Sequence, residues 1–236
     1  MPLENITVIN GIFSLLFVIS SFIVGLKIML KYRVFKDRKF ILVGISWIGI
    51  SEPWWPSSVG FLVALINGTG ISIEAYLLIG HVFLPFFLTA WLIAITDFLD
   101  MEKKNFIILL YIIISIIFEI LIFFYMFTDI SMCAVKLSPT DVDFGPLLII
   151  FLFFNLSIFM ITGLTFAIKS LRSNNPEVKL KGKFLLIAFI CYLIGAAIEI
   201  IITFPQNRLI LILSAILYYI GFILPEGIKK RLLKQS

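Results

Sequence analysis

Long apolar runs alternate with short polar stretches along this chain, and that alternation gives the first reading of its fold. Each run is close to the roughly 20 apolar residues needed to cross a bilayer as a helix. Spans are expected over residues 6–30, 40–66, 75–98, 106–127, 145–168, 184–204 and 209–224. The fold class that follows is all-α: a polytopic membrane protein, a seven-transmembrane-helix bundle, forming one domain over residues 1–236. The first run is followed by a basic stretch rather than a small-residue cleavage site, so it is expected to be a retained helix and not a signal peptide.

Two runs contain proline. In the second, Pro53 and Pro56 flank Trp54 and Trp55. Proline lacks an N–H and clashes with the turn before it, so an interruption is expected within residues 51–58. Broken helices at membrane depth line cavities in many transporters. The same Pro-Trp-Trp-Pro sequence also fits an aromatic anchor at headgroup level. Pro85 lies inside the third run, and residues 128–143 read as a polar loop.

Basic residues set the orientation. Lys27, Lys31, Arg33, Lys36, Arg38, Lys39, Lys103, Lys104, Lys169, Arg172, Lys179, Lys181, Lys183, Lys229, Lys230, Arg231 and Lys234 fall on one side of the seven spans, leaving Lys136 and Arg208 opposite. Loops rich in Lys and Arg stay in the cytoplasm, which predicts the N-terminus outside and the C-terminus inside. The expected location is the cell membrane, multi-pass.

Composition narrows the function. The chain is 61% hydrophobic and only 14% charged, against roughly a quarter charged in soluble domains. The net charge of +5 is spread through short loops, which argues against nucleic acid as a partner. Cys133 and Cys191 cannot build a disulfide framework, and a single histidine cannot build a multi-histidine zinc site. No lysine in the last span is placed for a retinal Schiff base. No catalytic motif, metal site or cofactor is therefore expected.

The polar residues inside apolar runs carry the remaining signal, because an ionisable group in hydrocarbon is costly. At 1.5 Å per residue, Glu52 lies roughly 18 Å, Glu119 roughly 20 Å, Glu199 roughly 23 Å and His81 roughly 25 Å from the basic side. All four fall in the outer half of a core about 30 Å thick. At least two are expected to share one cavity, with His81 or Arg208 as a cationic partner. Glu52, Trp54, Trp55, His81, Glu119, Glu199 and Arg208 form the candidate ligand-binding set. For Glu199 and Glu119 the alternative is a carboxylate reaching the interface, and for His81 a packed histidine.

The segment from Asn175 to Phe189, followed by Ile194 to Glu199, resembles a stretch of prokaryotic seven-helix sensor regions that precede histidine kinase modules. With Trp47 and residues 51–58, the chain also resembles stand-alone archaeal seven-helix membrane proteins of unassigned function. The resemblance implies a sensor role. About a dozen residues follow the last run, so no output domain is expected and signalling would need a separate cytoplasmic partner. The function expected is a receptor or sensor-like module binding a small molecule or lipid in the outer half of the bundle. The alternative is a small or proton-coupled transporter using the intramembrane carboxylates.

Overall fold

A computed structural model describes residues 3–202 and 205–233 of the chain. Its elements are α1 (Asn5–Leu30), α2 (Tyr32–Phe35), α3 (Lys39–Ile50), α4 (Trp55–Asn67), α5 (Ile73–His81), α6 (Leu84–Phe98) and α7 (Lys104–Thr128). A hairpin of β1 (Ala134–Ser138) and β2 (Asp141–Phe144) follows, then α8 (Pro146–Leu171), α9 (Pro176–Ile201), α10 (Arg208–Ile223) and α11 (Glu226–Leu233). Among the described residues, six helical segments are long and apolar enough to cross a membrane. The expected end of the sixth span, Phe204, and the basic Lys234 lie outside the described residues.

The surface explains why lipid is the solvent. The outward faces of α1 and α7 carry Ile12, Leu16, Ile19, Ile113, Ile117, Ile120 and Phe124, all exposed. A contiguous apolar surface of this extent would aggregate in water. In a bilayer it costs nothing, while the backbone groups are satisfied within each helix.

Both proline-containing runs are interrupted, each for a local reason. Between α3 and α4 a single 3-10 turn, Glu52–Trp54, replaces the α-helical ladder. Pro56 is then accommodated in the first turn of α4, where a missing N–H removes no bond. The run expected as one helix over 75–98 is likewise divided. Pro85 sits in the first turn of α6, and the ladder stops at His81. The two interruptions interlock, since the Phe83 backbone N–H freed by the second donates to Glu52 Oε1 of the first at 2.9 Å.

Helices pack closely where small residues allow it. Cβ atoms built on Gly25 of α1 and on Gly44 of α3 would each lie 2.5 Å from the other glycine's carbonyl oxygen. Ser21, one turn from Gly25, is fully buried at the same seam. This is the close approach that small-residue pairs four apart permit in membranes. At the basic end, Glu177 holds Lys181 at 3.1 Å and Lys229 of α11 at 2.6 Å. The hydrogen bond that Lys229 donates to Glu177 pushes its ammonium above its ordinary value.

The polar loop expected over 128–143 is a local exception in an otherwise helical chain. It folds into the antiparallel pair β1–β2, with Ala134 opposite Phe144 and Ser138 opposite Asp141. The hairpin lies between the end of α7 and the start of α8. Its turn is driven between helices. Asn10 Nδ2 of α1 donates to Thr140 O at 3.2 Å, and Lys136 Nζ donates to Thr69 O and Ile71 O at 3.0 and 2.6 Å. Gly60 and Gly70 leave room for the Pro139 backbone, which a side chain at either would meet.

Candidate functional site

Beneath the hairpin, the ends of α3–α6, α8, α9 and α10 surround a cavity with about 60 Å³ of space for the centres of water molecules. One such centre needs roughly 10–15 Å³, so the cavity has room for several waters or a small ligand. The hairpin supplies its roof through Asp141, Val142 and Phe144. Trp54, Ser57, Tyr76, Leu88, Asn155, Tyr192, Glu199 and Arg208 contribute walls and floor.

Each polar wall is positioned by a specific bond. Ser57 Oγ and the Tyr76 hydroxyl are 2.8 Å apart, joining α4 to α5. Tyr111 of α7 donates to Asn155 Oδ1 at 2.7 Å, and Asn155 Nδ2 returns to Phe151 O one turn earlier. The Tyr192 hydroxyl donates to Ile50 O at 3.0 Å. Ile50 ends α3, so its carbonyl lacks a helical partner. The interruption thereby creates an acceptor that anchors a cavity side chain.

Charge enters through one buried pair. Arg208 opens α10, is 2% exposed, and donates through Nη2 to Glu199 Oε1 at 2.5 Å. Its Nη1 donates to Asn10 O of α1 at 2.8 Å. Asn207 Nδ2 bonds Gly195 O, fastening the start of α10 to α9. Glu199 Oε2 is buried without a hydrogen-bond partner among the described residues. Glu199, Arg208 and Asp141 all lie within electrostatic range of the Tyr76 hydroxyl.

Below the cavity the bundle is filled with aromatic rings. Trp47 stacks on Tyr218 with centroids 3.7 Å apart and planes 19° apart. Trp91, Phe159 and Phe189 pack edge-on around them, at 5.0 Å for Trp91–Phe159 and 5.4 Å for Phe159–Phe189. Tyr192 is the link, touching Phe159 at 5.3 Å, Trp47 at 6.0 Å and Trp54 at 6.4 Å. Trp91 Nε1 donates to Thr162 at 2.8 Å, satisfying its polar edge inside the block.

Of the seven residues expected at a site, Trp54, Glu199 and Arg208 line this cavity. The expectation that two of Glu52, Glu119, Glu199 and His81 would share it is corrected: only Glu199 does. Glu52 is fully buried, but its bond to Phe83 N turns it toward the second interruption. His81 is also fully buried. Its Nδ1 is 3.3 Å from Leu77 O and its ring meets Phe144 edge-on, placing it behind the roof. Trp55 faces Phe22 and Phe87 instead, and its Nε1 donates to Ser51 at 3.0 Å. Glu119 is half-buried with both carboxyl oxygens unpartnered among the described residues, within electrostatic range of Glu52.

Similar depth did not make neighbours of these groups, because their rotation about each helix differs. Tyr76, Asn155, Tyr192, Ser57 and the hairpin's Asp141 were not singled out from sequence. Asn155 carried a signal, as an amide in the middle of an apolar run. Among the described residues no cluster of His, Cys, Asp and Glu could hold a metal ion. Comparison of the chain with family models, with curated proteins and with solved structures found no match.

Proposed function

We propose that the protein is a seven-span membrane receptor or sensor-like module that binds a small ligand beneath the β1–β2 hairpin. The seventh span is the interrupted pair α3–α4, which supplements the six candidates found among the described residues. In this reading the hairpin faces outside, and the ends carrying Lys36, Arg38, Lys104, Lys181 and Lys229 face the cytoplasm, as the distribution of basic residues favours.

The aromatic block under the cavity carries the proposal. A carrier needs a polar path that can open to either side of the membrane. Here Trp47, Trp91, Phe159, Phe189 and Tyr218, all at most 2% exposed, fill the bundle between the cavity and the basic end. Such a floor supports binding from one side. It also couples the sides mechanically, because Tyr192 belongs to both the cavity wall and the block. A ligand that shifts Tyr192 repacks rings whose helices end at the cytoplasmic face, where a partner protein would read the change.

A second reading, a proton-coupled carrier, is favoured by one observation: Glu52 and Glu119 bury carboxyl oxygens that find no partner among the described residues, Glu52 at the interlocking helix interruptions. Reconstitution separates the two. Under the receptor reading, proteoliposomes show no proton or solute flux above empty vesicles, and the protein captures a cytoplasmic partner. Flux that disappears in Glu119→Gln would establish the carrier and end the receptor reading.

A further inference from the structure

We propose that a groove at the basic end of the bundle, between the start of α3 and the end of α6, holds the headgroup phosphate of an anionic phospholipid. It lies at the other end of α3 from the roofed cavity and does not depend on how that cavity is read.

Charge selects the ligand. Lys36, Asp37, Arg38 and Lys39, from the link into α3, face Asp97 of α6 across the groove. Both carboxylates are held within the protein. Asp37 accepts from Lys39 Nζ at 3.3 Å and from the Lys39 backbone N–H at 2.9 Å. Asp97 accepts from Lys104 Nζ at 2.7 Å. With Lys104 counted, four cations meet two carboxylates, so the groove keeps a positive surplus. A phosphate diester complements it, and the Arg38 guanidinium offers the fork that phosphate oxygens accept best.

The link is fixed before any ligand arrives. Lys36 ends α2 in the left-handed region, at φ 54°, and the Asp37 bond to Lys39 N–H ties the next turn to α3. Lys39 Nζ lies 4.7 Å from the centroid of the Phe98 ring. The space is open and roomy, about 740 Å³ for the centres of water molecules, against about 60 Å³ in the roofed cavity.

Apolar surface decides that the phosphate belongs to a lipid. Leu42 of α3 and Ile93 of α6 complete the lining. Ile93 is exposed, and so is Phe86, two turns further along the same face of α6. Beside the cations, Val34 and Phe35 are exposed as well. Cations set above apolar side chains match the boundary between headgroups and acyl chains, and basic groups beside a span attract an anionic leaflet. A soluble phosphate has no use for the apolar stripe.

The full chain is titrated in detergent with dioleoyl phosphatidylglycerol or dioleoyl phosphatidylcholine, and bound lipid is counted by native mass spectrometry. Phosphatidylglycerol should bind at least about tenfold more tightly than phosphatidylcholine. Lys36→Gln with Arg38→Gln should lower its affinity at least about tenfold. Lys179→Gln with Lys183→Gln, which removes as much charge from exposed positions of α9, should change it less than about twofold. Ile93→Trp keeps every charge while narrowing the groove, and should lower the affinity about fivefold. Equal losses in the two charge-removing pairs would reduce the effect to general attraction and overturn the proposal. So would the absence of a preference for phosphatidylglycerol. Displacement of the lipid by glycerol phosphate at the lipid's own concentration would assign the groove to a soluble phosphate and overturn it too.

Discussion

Glu199 Oε1 and Arg208 Nη2 lie 2.5 Å apart, across the connection between α9 and α10, with the guanidinium 2% exposed. The contact joins the end of one helix to the start of the next. Through Nη1 the same guanidinium reaches the carbonyl of Asn10 in α1.

Breaking the pair from one side strands a buried charge, which costs about 3–5 kcal/mol. Arg208→Met should lower the unfolding midpoint in detergent accordingly. Glu199→Leu with Arg208→Met should recover more than half of that loss. A single variant as stable as the native protein would show that the pair contributes nothing.

Glu52 has a separable structural role as the acceptor for Phe83 N–H. Gln retains an acceptor oxygen there, so Glu52→Gln should stay within about 0.5 kcal/mol of the native protein. Glu52→Ala leaves a buried donor unsatisfied and should cost about 1–3 kcal/mol. Equal stability of the two variants, by denaturant titration in micelles, would contradict the cap.

The seam between α1 and α3 has no room for a side chain at Gly25. Overpacking typically costs about 1–3 kcal/mol, and here the obstacle is a backbone carbonyl, so Gly25→Leu should reach the upper end. Gly227, with open space around it, is the control. If Gly227→Ala and Gly25→Leu melt at the same temperature, the seam is not tightly packed.

Cys133 reports on the hairpin. It is fully buried, and burial, with Asp129 adding to it, pushes its thiol above the ordinary range. The thiolate is the reactive form, so in a Cys191→Ala background maleimide labelling near pH 7 should be slow and should rise with pH. Lys136→Ala removes two anchors of the hairpin and should speed labelling about tenfold. Fast labelling of the parent would mean that the roof stands open.

Orientation is tested with a reporter active only in the cytoplasm. Insertion near Asp37 should give activity, and insertion near Asp141 should give none. The reverse pattern would invert the proposed topology. A fusion after Ser236, outside the described residues, should match the Asp37 result.

Much of the bundle was legible because period and length are one-dimensional signals. The interruption at residues 51–58 followed from Pro53 and Pro56, and the helix ends fell within a few residues of expectation for α1, α7 and α10. Pro85 was visible, yet its interruption was not expected, because a proline in a first turn and a proline mid-helix look alike in sequence. The hairpin was hidden for another reason. Its strands are five and four residues long, too short for alternation to stand out from a polar loop.

The site was legible only in its charges. Arg208 was foreseen as a partner for a carboxylate, and the choice of Glu199 depends on a rotation that depth does not specify. Tyr76 and Tyr192 look like ordinary aromatic residues in apolar runs. What distinguishes them is the acceptor each hydroxyl finds, Ser57 for one and the end of α3 for the other. Both acceptors exist only once the neighbouring helices are in place.

Asn10 carries a consequence for how the molecule is made. Its side chain donates to Thr140, 130 positions later, and its carbonyl receives Arg208, 198 positions later. Synthesis proceeds from the N-terminus, so the first helix enters the membrane long before either partner has been translated. Until then its amide must be tended by lipid headgroups, water or an insertion factor. The chamber under the hairpin therefore cannot pre-exist as a half-built site, since its roof arrives with residue 140 and its guanidinium with residue 208. Emergence of α10 from the ribosome is the step that completes it.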